Sequence, residues 1–179
     1  MAQCLETIDP PLSRWLSQQR MFFVGTAPLS TSGHVNVSPK GGDSFRVLGP
    51  RQVAYCDYTG SGIETAAHLQ ENGRIVIMFC AFEGPPRIVR LHGSGRIIRP
   101  EDDAYATFLT HFPVNPGTRL LVVVEVTRIA SSCGFSVPLY SHVGNREVLD
   151  DWAAKQGPEG LQAYRRQNNN ASIDGLPGI

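Results

Sequence analysis

The sequence has no excess of charge of either sign and no long hydrophobic run. Its 16 lysine and arginine residues balance its 16 aspartate and glutamate residues. Proteins that bind nucleic acid or a membrane surface need a basic excess or a basic patch. No apolar run approaches the roughly 20 residues that a helix needs to cross a bilayer. These absences predict that neither nucleic acid nor membrane is a partner.

Cysteine is scarce and scattered, at Cys4, Cys56, Cys80 and Cys133, with no C-x-x-C spacing. The five histidines show no metal-ligand spacing, so we predict no metal site. A disulfide framework is unusual in a chain of this size, and Cys56 and Cys80 stand in apolar, strand-like runs, which favours buried free thiols. The N-terminus shows no signal-peptide pattern, and we expect a cytoplasmic protein.

The 179 residues, of which 41% are hydrophobic, are typical of a globular protein with a sizeable core. We predict a single domain over residues 1–179. Its barrel covers about residues 20–130, and a C-terminal helical segment and tail follow at about residues 131–179. No G-x-S-x-G motif is present, so the sequence does not indicate a hydrolase.

Short apolar runs bounded by glycine and proline dominate the barrel segment and indicate strands. We predict strands at residues 21–27, 35–38, 45–48, 52–56, 74–79, 87–98 and 119–129, and helices at residues 9–19, 61–72, 100–111, 145–156 and 160–167. The continuous apolar run of the first strand implies burial on both faces. The pattern predicts a mainly β fold with peripheral helices, a mixed β-barrel, with a β-sandwich as the alternative.

Glycine and proline also predict where strands end or bend. Pro39 ends the second strand or bends it sharply. Gly93 and Gly95 allow a bend of the kind that barrel walls need. The tail from residue 168 onwards is too rich in turn residues to be helical, and we predict that Ile173 and Leu176 dock on the barrel or on a partner subunit.

The Gly60-Ser61-Gly62 corner leads from a strand into the helix at residues 61–72. Ser61 and Glu64 have capping-box spacing, in which each side chain binds an exposed backbone N–H group of the first turn. A helix N-terminus also binds phosphate, and the Glu64 carboxylate would compete with a phosphate for the same donors. Both interpretations stay open, while Asn72-Gly73 predicts the end of the helix.

A second polar stretch, Ser38-Pro39-Lys40-Gly41, places a hydroxyl and an ammonium at a strand end. Such a pair suits a phosphate or a carboxylate, and a solvated turn with an ordinary surface lysine is the alternative. Arg87 and Arg90 are an odd number of residues apart on a predicted strand, so at most one of them faces a given site.

These stretches resemble the pyridoxamine 5′-phosphate oxidase-like family, the flavin-binding split barrels, over roughly residues 20–130. Residues 87–93 (Arg-Ile-Val-Arg-Leu-His-Gly) resemble the family's Arg-Gln-Val-Arg-hydrophobic-Glu-Gly strand, and Tyr58-Thr59 with Leu69 resembles its strand-to-helix corner. The resemblance implies a split β-barrel and a homodimer with its sites at the interface. It also implies FMN as cofactor, with coenzyme F420 or haem in some members.

The resemblance implies a set of cofactor-binding residues. Asn36, Val37 and Ser38 would lie along the flavin ring, Lys40, Ser61 and Thr65 would serve the phosphate, Tyr58 and Thr59 would form the corner, and Arg87 would be the arginine of the family's strand motif.

The sequence also departs from the family's pattern. Ile63-Glu64-Thr65 stands where the true oxidases have Ser-Arg-Lys, and Ile88 stands where they have a glutamine. The resemblance is therefore to an oxidase-related branch, an FMN-dependent oxidoreductase acting on an unknown small substrate. The alternatives are a non-catalytic flavin, F420 or haem binding module, and a structural homodimer with a decayed pocket, which Glu64 favours.

Overall fold

The computed structural model describes residues 3–179. Eight strands carry most of this part of the chain. They are β1 (Gln3–Leu5), β2 (Met21–Thr26), β3 (Asn36–Gly41), β4 (Phe45–Gly49), β5 (Gln52–Tyr58), β6 (Arg74–Cys80), β7 (Ile88–Ile98) and β8 (Thr118–Ser132). The helices are α1 (Pro10–Gln18), α2 (Glu64–Asn72), α3 (Tyr105–Leu109) and α4 (Val148–Asn168).

All of these strands join one antiparallel sheet in the order β3-β2-β6-β7-β8-β5-β4, and β1 pairs with the far end of β8. The sheet curls so far that side chains near its two ends meet. The ring of Phe22 on β2 lies 5.4 Å from that of Phe45 on β4. The predicted mainly β fold, a split β-barrel with peripheral helices, is confirmed, and the two sheets of a sandwich are not found among residues 3–179.

The core lies inside the curl and is centred on four aromatic rings. Phe22 stacks on Phe79, and Phe45 and Tyr55 meet them at tilted or edge angles. Such pairs add stability beyond the area that they bury. Cys56 and Cys80 are buried free thiols, as predicted.

Burial on both faces of β2 was predicted, and this is wrong. Phe22, Val24 and Thr26 are buried, whereas the alternate residues of β2 are half-exposed. The reason is that Met21 and Phe23 face an open cleft rather than a second layer of protein.

Pro39 does not end its strand. β3 runs on to Gly41 and pairs Pro39 with Phe23. An edge strand tolerates proline, because the missing N–H group is on the side that needs no partner. In β7 the register shifts between His92 and Gly93, at one of the two glycines where a bend was predicted.

The capping box predicted at the start of α2 is not formed. The helix begins at Glu64 after the N-cap Ile63, which makes no side-chain cap bond. Glu64 is thus the first helical residue rather than the third, and Ser61 lies too far upstream to cap. The predicted end is confirmed, since Gly73 follows Asn72 with φ 71°, a conformation that favours glycine.

Two other helices differ from their predicted bounds. Only residues 105–109 of the predicted helix 100–111 are helical, and the Asp102 side chain instead accepts a hydrogen bond from the Arg99 N–H group, which competes with helix formation. The two helices predicted at residues 145–156 and 160–167 correspond to the two halves of α4, which are separated at Gly157 by a kink with non-helical φ 63° and ψ 177°. Among residues 3–179, no helix has both the length and the apolar character of a membrane span.

The tail after α4 folds back on the protein. Ile179 packs against the core, and the Gln70 side chain donates to the carbonyls of Pro177 and Gly178. Leu176 is half-buried. Ile173 is 70% exposed, so it does not dock on the barrel; its docking on a partner subunit stays a prediction.

Candidate functional site

Asp57 on β5 is a buried carboxylate that joins distant parts of the sheet. Its Oδ1 accepts a hydrogen bond from Lys40 Nζ at 2.7 Å, and its Oδ2 accepts one from Arg119 Nε at 2.6 Å. Lys40 belongs to the edge strand β3 and Arg119 to β8. This charged cluster therefore closes the gap between β3 and the far half of the sheet.

The cluster keeps Asp57 ionised. Burial alone raises the pKa of this carboxyl, but the charges and hydrogen bonds of Lys40 and Arg119 outweigh burial and hold its pKa below the ordinary value of 3.8. An unpaired carboxylate at this depth would be strongly unfavourable, so each cation is needed to keep the charge in place.

Arg119 is itself held from several sides. Besides Asp57, its guanidinium donates through Nη1 to the Gly60 carbonyl at 3.3 Å and to Asn169 Oδ1 at 2.9 Å. Gly60 belongs to the corner between β5 and α2. The arginine thus ties that corner to the charged cluster.

A second polar network lies on the other side of Lys40. Asn36 Nδ2 donates to the hydroxyls of Thr65 at 2.9 Å and Thr26 at 3.2 Å, and Ser38 Oγ donates to Asn36 Oδ1 at 3.1 Å. Thr26 Oγ1 in turn lies 3.0 Å from Nδ1 of the fully buried His68. Burial lowers the pKa of His68, which favours its neutral form.

A cavity of about 160 Å³ opens between these two networks at the start of α2. It is lined by Ser38, Lys40, Tyr58, Gly60, Gly62, Glu64, Thr65 and Arg119. Because α2 has no side-chain cap, the N–H groups of its first turn are open to a ligand.

The small cavity adjoins a much larger cleft of about 1990 Å³. Lys40, Tyr58 and Gly60 line both spaces. The remaining wall of the cleft includes the aromatic side chains of Trp15, Phe23, Phe82 and Tyr140. Burial raises the pKa of Tyr58 to about 12, so its phenol is a neutral hydrogen-bonding group where the two spaces meet.

The structure brings some of the predicted cofactor-binding residues together at the small cavity. Ser38, Lys40, Tyr58 and Thr65 line it directly. Asn36 lies behind Thr65 and donates a hydrogen bond to its hydroxyl.

The other predicted residues lie apart from this group. Val37 is 64% exposed on the opposite face of β3, and Ser61 is exposed outside the cavity lining. Thr59 lines the cleft, where its hydroxyl donates to the Gly117 carbonyl. Arg87 precedes β7, lies over the Trp15 ring at 5.0 Å and donates to Ser131.

Sequence reasoning missed Asp57, Arg119 and Asn169. The first two carried a signal, because each is a charged residue that directly borders an apolar run in a strand, and charged residues are buried only when paired. Asn169 carried no local signal, since it is one of three consecutive asparagines in a polar stretch.

Comparison with known proteins agrees with this architecture. A sequence model of the family described as pyridoxamine 5′-phosphate oxidase matches residues 8–133, which is most of the chain. The chain belongs to this family. A pyridoxamine 5′-phosphate oxidase family protein from Aspergillus flavus, ustO, is 40% identical over 191 residues, covering 97% of this chain and 76% of that protein.

Solved structures of similar fold extend the comparison. HupZ from Group A Streptococcus aligns with 68% of this chain and 91% of its own, at 21% identity and a TM-score of 0.52. A putative pyridoxamine 5′-phosphate oxidase from Lactobacillus delbrueckii aligns over 71% and 98%, at 15% identity and a TM-score of 0.54. An FAD-binding protein from Mesorhizobium loti aligns over 73% and 96%, at 10% identity and a TM-score of 0.50. At these identities the structural likeness shows only that the split-barrel fold is shared. The predicted family resemblance is confirmed by the sequence match over residues 8–133.

Proposed function

We propose that this protein binds FMN and is an oxidoreductase that acts on a small substrate. The observation that carries the proposal is the 160 Å³ cavity at the uncapped start of α2, lined by Lys40 and Arg119 and adjoining an aromatic cleft. Membership of the pyridoxamine 5′-phosphate oxidase family supports the proposal, as does the fold shared with an FAD-binding protein.

The small cavity suits a phosphate group. Lys40 gives one of its three N–H donors to Asp57, which leaves two for a ligand. The Thr65 hydroxyl accepts from Asn36, so its own proton is free to be donated. The first-turn N–H groups of α2 add further donors together with the favourable helix dipole.

The cleft suits a flat ring system. Aromatic side chains such as Phe23 and Phe82 line it, and such side chains pack well against a flavin ring. Bound FMN supplies the electron-transfer chemistry. The residues of this chain would bind the phosphate, orient the ring and limit its contact with water.

Glu64 opposes the proposal in part. Its carboxylate lines the same cavity as Lys40 and Arg119, and a like charge beside a phosphate weakens binding. This observation favours a second candidate, a structural homodimer that takes up no cofactor.

Flavin binding is tested by titrating the purified protein with FMN while flavin fluorescence is recorded. We expect a dissociation constant of micromolar or below. Lys40→Ala should weaken binding about tenfold, because a charge-assisted hydrogen bond is lost. The chain has one other lysine, Lys155, which is exposed on α4, and Lys155→Ala is the matched control.

A protein that shows neither fluorescence quenching nor a thermal shift with excess FMN would support the cofactor-free homodimer instead. For a protein that does bind FMN, a screen of reductants and small substrates tests the catalytic part of the proposal. FMN that is held but never reduced or reoxidised by any of them would indicate a non-catalytic flavin-binding module.

A further inference from the structure

The C-terminal end of α4 lies outside residues 8–133, the part of the chain that matches the family. Two of its side chains nevertheless contact the β5–α2 corner beside the small cavity. These are Asn169, the residue that ends the helix, and Arg165, one turn earlier.

Asn169 bridges Arg119 and the β5–α2 corner. Its Oδ1 accepts from Arg119 Nη1 at 2.9 Å, and its Nδ2 donates to the Gly60 carbonyl at 2.9 Å. The asparagine is fully buried. An amide offers both an acceptor and a donor, so it satisfies the guanidinium and the carbonyl together.

The last residues of the chain hold Asn169 in place. Its carbonyl accepts from the Ile179 N–H group at 3.0 Å, and its N–H group donates to the Arg165 carbonyl at 2.8 Å. Gly178 packs so closely that a Cβ there would lie 1.9 Å from the Asn169 carbonyl oxygen. The position of this one side chain is therefore set by both α4 and the tail.

Arg165 supports the same corner from the next turn of the helix. Its Nε donates to Thr59 Oγ1 at 2.9 Å and its Nη2 to the Thr118 carbonyl at 3.2 Å. Burial, together with the like charge of Arg119, lowers the pKa of Arg165, so the two guanidinium groups are electrostatic neighbours. Lys40 and Arg119 are balanced by Asp57 and Glu64 at the cavity, and Arg165 adds a positive charge nearby.

We propose that Asn169 is a positioning residue for the anion site. Asn169 holds the guanidinium of Arg119, whose Nε and Nη1 both donate to protein acceptors. Nη2 has no protein partner among residues 3–179 and is therefore the group that would bind the anion. The positive charge of Arg165 adds to the electrostatic attraction of an anion at the same site. This inference rests on the proposed function, because it assigns the anion as the phosphate of FMN.

The test compares FMN with riboflavin, which has the same ring but no phosphate. In Asn169→Ala, Arg119 loses an acceptor and Gly60 loses a donor, and we expect the FMN dissociation constant to rise about tenfold. Riboflavin binding should change less than about twofold, because the ring does not depend on Arg119. A purely structural role would weaken both ligands equally.

Two further variants sharpen the comparison. Asn169→Asp keeps an acceptor for Arg119 but adds a negative charge, and FMN binding should weaken more than in Asn169→Ala. Asn170 is the matched control, since among residues 3–179 its side chain donates only to the Arg166 carbonyl within α4. Asn170→Ala should bind both ligands as the wild type does.

The possible results separate this inference from the proposed function. If the wild type binds FMN and Asn169→Ala lowers the affinity for FMN and riboflavin by the same factor, the positioning role is refuted while the flavin site stands. If the wild type binds no flavin, the proposed function fails, and the thermal shift given by inorganic phosphate decides the inference. A phosphate shift that is present in the wild type and lost in Asn169→Ala supports the positioning role; an absent or unchanged shift refutes it.

Discussion

Asp57 is the residue at which the edge strand β3 is joined to the far half of the sheet. Its carboxylate is 2% exposed and pairs with two cations from different strands. A buried carboxylate that is paired with two cations costs the folded protein little free energy. Removing one of the charged groups leaves the others unpaired and destabilises the fold strongly. The residue therefore links the stability of the barrel to the geometry of the cavity.

The Asp57 cluster predicts a pH-dependent stability. Burial raises the pKa of Asp57, but Lys40 and Arg119 outweigh burial, so its pKa in the folded protein is below 3.8. The stabilisation is thus complete above that pH and is lost as the pH falls through the lower, folded-state pKa. In urea unfolding at neutral pH, Asp57→Asn should cost about 3 kcal/mol.

That cost should shrink as the pH falls from about 4, where the carboxyl group of the unfolded chain becomes protonated, towards the lower pKa of the carboxyl group in the folded protein. A difference between wild type and Asp57→Asn that stays constant down to the acid unfolding of the protein would contradict the assignment. Asp103→Asn, at an exposed position on the surface, is a control for the general effect of removing one carboxylate.

The negative charge of Glu64 is predicted to weaken FMN binding. It is the first residue of α2 and lines the anion cavity. Glu64→Gln removes a like charge while keeping the size of the side chain, and we expect FMN to bind about fivefold more tightly, an effect of about 1 kcal/mol. Fluorescence titration measures the change.

Glu101→Gln, at an exposed position in a turn, should leave FMN affinity unchanged and serves as the control. Equal or weaker FMN binding by Glu64→Gln would mean that the carboxylate does not oppose the ligand.

At the scale of elements, β7 and β8 depend on a close approach of two backbones. A Cβ at Gly93 would lie 2.2 Å from the backbone oxygen of Glu125, next to the register shift in β7. A Cβ at Gly95 would instead meet the side chain of Leu69 at 3.0 Å. Backbone cannot give way easily, whereas a leucine side chain can move.

This contrast predicts different outcomes for two otherwise similar substitutions. Gly93→Ala should lower the free energy of unfolding by about 3 kcal/mol, because the strands must separate or shift register. Gly95→Ala should cost about 1 kcal/mol or less, because Leu69 can adjust. Urea denaturation of the two variants measures both values, and equal costs would show that the close backbone approach is not what limits position 93.

For the whole molecule, the open cleft is the feature that bears on assembly. It has a volume of about 1990 Å³, and its wall includes half-exposed Phe23 and Trp15. Open apolar surface of this kind is typical of protein interfaces and ligand grooves. We propose that a second copy of the chain covers the cleft and forms a homodimer.

The dimer is tested by analytical ultracentrifugation. One chain has a mass of 19.6 kDa, so the expected species has a mass of about 39 kDa, twice that value. Phe23→Asp places a charge on the apolar wall and should shift the equilibrium towards the monomer. Leu29→Asp, an exposed position outside the cleft lining, is the control; a wild type that stays monomeric at every concentration would refute the homodimer.

Much of the fold was predictable from the sequence, because the signals that define it are local. Alternating or continuous apolar runs predicted seven of the strands, and Asn72-Gly73 predicted the end of α2. Errors arose where a neighbour decided the outcome. Pro39 continues its strand because β3 is an edge strand, and one face of β2 is open because it borders the cleft.

The residues of the candidate site were likewise predictable only in part. Local sequence patterns placed the polar residues at strand ends and corners, and Ser38, Lys40, Tyr58 and Thr65 do line one cavity. The ion pair between Asp57 and Arg119, which are 62 positions apart, and the contact of Asn169 with Arg119 are visible only in the folded chain. Local patterns do not show which residues pair with one another, because the curl of the sheet and the return of the C-terminal helix bring these residues together.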